Sequence, residues 1–461
     1  MVKSEIKDFT KGNITKQLII FALPILLSNL LQIVYNMVDM IIVGNVLGKT
    51  GVSSVSVGGD ITNFLTSVAM GFSSAGQVII AKYVGGGEKS KIGKFVGTMS
   101  AFVFICSLVL TVLGLVFQNG LLELMSTPKD ALEGAKSYSL ISISGLVFIY
   151  GYNVVSAILR GMGDSKHPLV FIAIAATLNI VLDLVFVILL GMGAGGAALA
   201  TVISQAVSFI SCTIFLVVKR KKFELNVKGR DFVVMDKQML SRLLKLGVPM
   251  SIKFASIHVS KLFVNSWVNG YGVAVSAFAG IANKIASVSY LISNSMNTAG
   301  STLVGQNLEV SKYDRVKGIL KSIMLITMIV AVVLSLIMIF FNKQVVGLFT
   351  DNNDVDVIDL APKYVPIAII LFFGSGLRAT MNALMNGSGN TSVNFVTAIL
   401  DGIVLRIGLS LLFGLAFGMK HYGFWLGDAL AGLTPFFIGL VFYFTGKWKN
   451  TKKITNIENN K

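Results

Sequence analysis

Five carboxylates stand inside long apolar stretches of this 461-residue chain: Asp39, Asp60, Asp183, Asp401 and Asp428. A carboxylate is costly to keep ionised among apolar side chains, so its presence there points to proton or cation chemistry. Tyr35 precedes Asp39 by four residues and Asn179 precedes Asp183 by four, so each pair shares one face of a helix. Asn153 adds a further amide. Two carboxyls in one poorly solvated cluster repel each other and lose hydration, which favours the uptake of a proton. The same Asp and Asn oxygens also suit a hard cation such as sodium. Asp60 lies near the end of its apolar stretch and is read as structural.

A second set is basic. Lys253, His258, Lys261, Lys284, Arg378 and Arg406 also interrupt apolar stretches, with only Asp401 and Asp428 to offset them. Asp401 has a structural pairing open to it, with Lys284 or Arg378. Five Lys and Arg cannot all pair with two acids, however. A basic wall facing water is therefore expected, one that accepts anionic or zwitterionic molecules. Its candidates are Lys253, His258, Lys261, Lys284, Arg378 and Asp401.

The elements that must position these residues are membrane spans. Apolar residues make up 54% of the chain and charged residues only 13%, against about 25% charged in soluble domains. Residues 95–122, 137–159, 184–218 and 322–342 carry no charge at all, and about 20 such residues cross a bilayer as a helix. Apolar runs between charged, Gly, Pro and Asn punctuation predict twelve spans: 17–46, 52–81, 95–118, 136–160, 168–190, 196–218, 243–269, 273–304, 320–341, 363–386, 393–417 and 423–446. The expected fold is all-α and integral to the membrane.

The formal charge of +17 reads as topology. Termini and loops after even-numbered spans hold 28 Lys and Arg, the opposite loops only six. Both termini are therefore expected in the cytoplasm, and nucleic acid is excluded as a partner. Cys106 and Cys212 lie in apolar runs without CxxC spacing and read as packing. The first apolar stretch is too long for a cleavable signal. Walker A, GxSxG and HExxH patterns do not occur, so neither direct ATP-driven pumping nor enzymatic chemistry is expected.

The two halves repeat at an offset of about 225 residues. Ala22-Leu23-Pro24 matches Gly247-Val248-Pro249, and Ala75-Gly76-Gln77 matches Ala299-Gly300-Ser301. Leu121 to Ser126 matches Val345 to Thr350, and Arg160 to Ser165 matches Asn386 to Thr391. Six spans per half give parallel repeats, two six-helix bundles about a central cleft. The expected domains are an N-lobe over 1–218, a basic linker over 219–242, a C-lobe over 243–446 and a basic tail over 447–461. The acid cluster is not duplicated: Val264, Ala379, Leu405 and Leu409 occupy the positions matching Asp39, Asn153, Asn179 and Asp183.

Leu23-Pro24 with Asp39, Leu159-Arg160-Gly161-Met162-Gly163-Asp164, Gly305-Gln306-Asn307-Leu308 and Asn386-Gly387-Ser388-Gly389-Asn390-Thr391 occur in that order. With twelve spans in two halves, the chain resembles the multidrug and toxic compound extrusion (MATE) family over essentially its whole length, and its DinF-like branch in particular. The resemblance implies cation-coupled efflux. It implies that Asp39 and Asp183 carry the proton or cation and that Tyr35, Asn153 and Asn179 are their hydrogen-bond partners. The sodium-coupled branch carries acids in its seventh and tenth helices, and spans seven and ten here have none. That favours protons, with sodium second.

The expected function is thus an antiporter in a bacterial cell membrane. It would export drugs or other small organic molecules, act as a monomer and need no cofactor or bound metal. The alternative is a lipid-linked oligosaccharide or lipid flippase of the same superfamily, whose pyrophosphate headgroup the membrane lysines and arginines would fit. A non-transporting sensor or scaffold would leave the buried acids and duplicated lobes without a purpose.

Overall fold

The computed structural model describes residues 4–125, 127–350, 354–450 and 453. Lys3, Ser126, Lys452 and Lys461, used above for topology and the repeat, lie outside the described residues. Among the described residues there is no strand. The helices are α1 Ile14–Gly85, α2 Lys89–Val116, α3 Gln118–Leu124, α4 Lys129–Ser144, α5 Leu146–Gly161, α6 Lys166–Asp183, α7 Gly193–Val218, α8 Lys237–Asn269, α9 Val273–Glu309, α10 Tyr313–Gly347, α11 Val355–Ile358, α12 Ala361–Ser388, α13 Thr391–Ile399, α14 Leu405–Leu411, α15 Lys420–Ala431 and α16 Thr434–Phe444. Short π-helical turns follow α6 (Leu184–Leu189), α13 (Leu400–Val404) and α14 (Leu412–Ala416).

These elements account for all the expected spans. α1, at 72 residues, supplies two, because Gly48 breaks it with φ 63° and ψ −155°. Only glycine adopts that conformation without a Cβ penalty. α4 and α5 form one span bent by 49° at Gly145. α13 and α14 with their π turns form one span, as do α15 and α16. α8 is the least apolar of the crossing helices because it carries Lys253, His258 and Lys261, but its 33 residues reach about 50 Å. The fold is an all-α membrane protein of twelve crossing helices in two bundles.

The chain forms two compact units. The first comprises the described part of Met1–Asp8 with Leu23–Ser251, and the second Phe9–Ala22 with the described part of Ile252–Lys461. Of the three divisions one lies between Asp8 and Phe9, before α1, and the other two fall inside α1 and α8, beside Pro24 and Pro249, rather than within 219–242. Proline removes an intrahelical hydrogen bond and loosens the turn before it, which makes these the natural points for a helix to pass from one unit to the other. Residues 219–242 pack onto α2 in the first unit. Lys89 pairs with Glu224 at 2.8 Å and Lys94 with Asp236 at 2.7 Å. Gly93 and Gly97 admit this backbone: a Cβ on Gly93 would meet Asn226 O at 2.4 Å, and one on Gly97 the Asp231 Cβ at 2.6 Å.

In the second unit the segment Phe9–Gly12 is strapped to the α9–α10 turn. Phe9 N donates to Gln306 Oε1 at 2.7 Å and Lys312 Nζ to Thr10 O at 2.9 Å. Arg315 donates to Phe9 O (3.0 Å), Lys11 O (3.2 Å) and Gly12 O (2.9 Å). Within each unit, the Gly-rich segments noted in the sequence play matching parts. Asp164 Oδ1 accepts from the backbone N–H of Lys166 and His167 at the start of α6, and Asn390 Oδ1 from that of Val393 at the start of α13. These are helix-capping roles, satisfying donors that the first turn leaves free.

Candidate functional site

The acid cluster lies inside the first unit. α1 presents Gln32, Tyr35 and Asp39 along one face, α6 presents Asn179 and Asp183, and α7 presents Thr201 and Gln205. Asp39 is 4% exposed, Asn179 1% and Asp183 0%. The carboxyl of Asp39 meets that of Asp183 and the hydroxyl of Thr201. Asn179 Nδ2 donates to Thr201 Oγ1 at 3.3 Å, and the Tyr35 hydroxyl accepts from Gln32 Nε2 (3.4 Å) and Gln205 Nε2 (3.3 Å). Tyr138 on α4 stands within electrostatic reach of both carboxyls.

Apolar packing holds this polar group on two sides. Ile42, Val43, Val55, Val187, Ala194, Ala197 and Ala198 cluster around Tyr138. Tyr35 itself packs with Tyr152, Ile172, Ala175 and Ala176. Asp183 sits where α6 widens into its π turn, a distortion that often marks functional positions.

The cluster is rich in acceptors and poor in donors. Asp39 Oδ1, both Asp183 carboxyl oxygens, Asn179 Oδ1 and Gln205 Oε1 are buried with no donor among the described residues. No Lys, Arg or His of the described residues pairs with either carboxyl. Two carboxyls in contact without a counter-cation are stable only if a proton or another cation joins them. Such a group can load and release a proton, or hold a small hard cation by its oxygens.

Sequence reasoning brought Tyr35, Asp39, Asn179 and Asp183 together, and the structure does so too. It does not bring in Asn153, whose Nδ2 donates to Ile149 O of its own helix at 2.8 Å. Thr201, Gln205 and Tyr138 were not foreseen. The available signal was the i, i+4 spacing of Thr201 and Gln205 inside the uncharged run 184–218.

The basic residues are all in the second unit. Arg378 donates to Asp401 at 2.7 and 3.3 Å, Arg406 donates to Asp401 at 3.1 Å, and Arg406 also pairs with Asp428. These four charges alternate in sign along one chain of pairs. Arg406 is 1% exposed and Asp401 0%, so this pairing is what permits their burial. Asp401 thus pairs with Arg378 and not with Lys284. Lys284 is exposed and lies 5.4 Å over the Phe349 ring, and His258 is also exposed. Lys253 Nζ donates to Asn382 Oδ1 at 2.7 Å, and Lys261 Nζ lies 4.6 Å over the Tyr290 ring. Of the expected basic residues, Arg378 and Arg406 are engaged by acids, while Lys253, His258, Lys261 and Lys284 form no ion pair among the described residues.

Comparison with known proteins agrees with this architecture. The chain is 29% identical to the probable multidrug resistance protein YoeA of Bacillus subtilis (strain 168), over 97% of each chain. Its fold matches a MOP superfamily transporter from Pyrococcus furiosus with a TM-score of 0.89, at 21% identity over 98% of this chain and 100% of that one. It also matches an outward-facing multidrug resistance MATE family transporter with a TM-score of 0.88, at 23% identity over 98% and 99%. The MatE family pattern fits residues 24–185 and again residues 249–412, once in each half, and the chain belongs to that family of multidrug and toxic compound extrusion transporters.

Proposed function

We propose that this chain is an antiporter that exports drugs or other small organic molecules by alternating access, driven by inward proton flow. Asp39 and Asp183 carry the proton, and Tyr35, Asn179, Thr201 and Gln205 hold them in place. The observation that supports this is the meeting of two buried carboxyls with no basic partner among the described residues. Protonation removes their repulsion and supplies the missing donor, so the loaded and unloaded cluster favour different packings of α1 against α6 and α7. The same oxygens suit sodium, which is the second reading. The 28-to-6 split of Lys and Arg supports cytoplasmic termini in a bacterial plasma membrane. The protein works as a monomer without cofactor.

The test is transport in reconstituted vesicles under an imposed pH gradient or an imposed sodium gradient. Drug movement should follow the pH gradient and fail in Asp39→Asn and in Asp183→Asn. Full activity in both variants would remove the assignment, and dependence on sodium alone would replace the proton.

A further inference from the structure

Within the second unit the charges do not balance. The network Arg378–Asp401–Arg406–Asp428 contains two cations and two carboxylates and is neutral by itself. Lys253 and Lys261 flank it, and no carboxylate of the described residues pairs with either. Lys253 donates to Asn382, which lies one helical turn beyond Arg378 on α12. It is 7% exposed. An ammonium has three donors, and Asn382 engages one of those on Lys253. Lys261, two turns along α8, lies against Tyr290 of α9. A cation in a membrane helix without an ion-pair partner is costly, and an anionic ligand offsets that cost.

We propose that Lys253 and Lys261 bind the acidic group of the transported molecule, which is a free amphipathic organic anion: a carboxylate, sulfonate or phosphate ester on an apolar, aromatic body. The inference rests on the efflux reading and names its substrate class. The charges of the network cancel, so the two lysines, which act on Asp401 and Asp428 through space without pairing with them, leave a positive excess. The Tyr290 ring beside Lys261 supplies apolar surface for the body of the solute. A lipophilic cation would meet uncompensated positive charge here and be disfavoured. The acid cluster of the first unit has the opposite imbalance, two carboxyls with no basic partner among the described residues. Proton carriage and anion binding are thus assigned to separate units.

The test uses the full-length protein in vesicles of neutral phosphatidylcholine under an imposed pH gradient. The probes are carboxyfluorescein as free anion, ethidium as cation and a trace of headgroup-labelled phosphatidylglycerol as lipid anion. The wild-type protein should move carboxyfluorescein. In Lys253→Met and Lys261→Met the ratio of carboxyfluorescein to ethidium transport should fall at least about tenfold, the loss of a charge-assisted contact, and Lys261→Arg should restore it. The ratio is insensitive to how much variant protein folds. Transport of ethidium without carboxyfluorescein by the wild type overturns the anion inference and leaves the efflux reading standing. An unchanged ratio in both Met variants also overturns it, as expected if Lys253 is a neutral amine packed against Asn382. Movement of the labelled lipid alone overturns the free-solute assignment. Movement of no probe overturns the efflux reading itself.

Discussion

The carboxyl of Asp39 on α1 meets that of Asp183 on α6, and no basic side chain of the described residues balances them. Of their four oxygens, three have no donor among the described residues. Such a pair resists having both members ionised. The group is held from three helices, which makes its state of charge a matter of helix packing as well as of chemistry.

Replacing Asp39 by Asn gives Asp183 a neutral donor in place of a like charge. The Asp39→Asn protein should therefore be more stable in detergent even as it loses coupled transport. One satisfied buried hydrogen bond contributes about 1 kcal/mol, which corresponds to a rise of roughly 1–3 °C in melting temperature for a chain of this size. A thermal melt of the purified variant checks this. A fall in melting temperature would mean that the pair is not under electrostatic strain.

In the second unit, Arg406 and Arg378 should differ sharply when replaced. Arg406 holds Asp401 and Asp428 at once and is 1% exposed. Arg406→Met leaves Asp428 without its pairing arginine and should cost about 3–5 kcal/mol. Arg378 is more accessible and holds only Asp401, which keeps Arg406, so Arg378→Met should cost about 1–2 kcal/mol. Yield of monodisperse protein and melting temperature read the difference. Arg406→Met combined with Asp428→Asn should recover part of the loss, and equal effects of the two single variants would contradict the network.

Helix number and the i, i+4 pairs were legible in the sequence because both depend on residues close in the chain. Tyr35 with Asp39 and Asn179 with Asp183 needed only helical periodicity. Asn153 was expected to join them, yet it turns back onto Ile149 of its own helix. Side-chain direction and rotamer decide that, and spacing does not reveal them. Thr201 and Gln205 were overlooked for a related reason: uncharged polar residues in an apolar run carry no signal until a neighbouring helix brings a carboxyl to them. The charge network has the same character. Arg406 and Asp428 are 22 residues apart on different helices, so the sequence shows an excess of bases but not which of them the acids engage. The passage of α1 and α8 between units at Pro24 and Pro249 was hidden behind prolines that read only as kinks.

The internal repeat extends to packing at single glycines. A Cβ on Gly161 would meet Gln77 O at 2.8 Å and Ile80 Cβ at 2.8 Å. A Cβ on Gly387 would meet Ser301 O at 2.8 Å and Val304 Cγ1 at 2.7 Å, the same positions shifted by about 225. Backbone oxygens cannot step aside as a flexible side chain can, so Gly161→Ala and Gly387→Ala should each cost about 1–3 kcal/mol through overpacking. Melting temperatures of the two variants should fall by similar amounts. A neutral effect at one of them would show that the two half-chain contacts are not equivalent.

Arg315 holds the segment before α1 by its backbone alone. Its guanidinium takes the carbonyls of Phe9, Lys11 and Gly12, and its Nε donates to Asn307 Oδ1 at 3.1 Å. Asn307 Nδ2 in turn donates to Phe9 O at 3.2 Å. Three carbonyls converging on one rigid planar donor set are not replaceable by the single ammonium of lysine. Arg315→Ala should leave the membrane helices folded, since these contacts lie before the first span, while freeing residues 9–13. Amide hydrogen exchange in that segment should rise at least about tenfold, the release of one or more charge-assisted hydrogen bonds, with α9 and α10 unchanged. Arg315→Lys should fall near the alanine variant rather than the wild type. Undisturbed protection of residues 9–13 in Arg315→Ala would assign the anchoring to Gln306 and Lys312 instead.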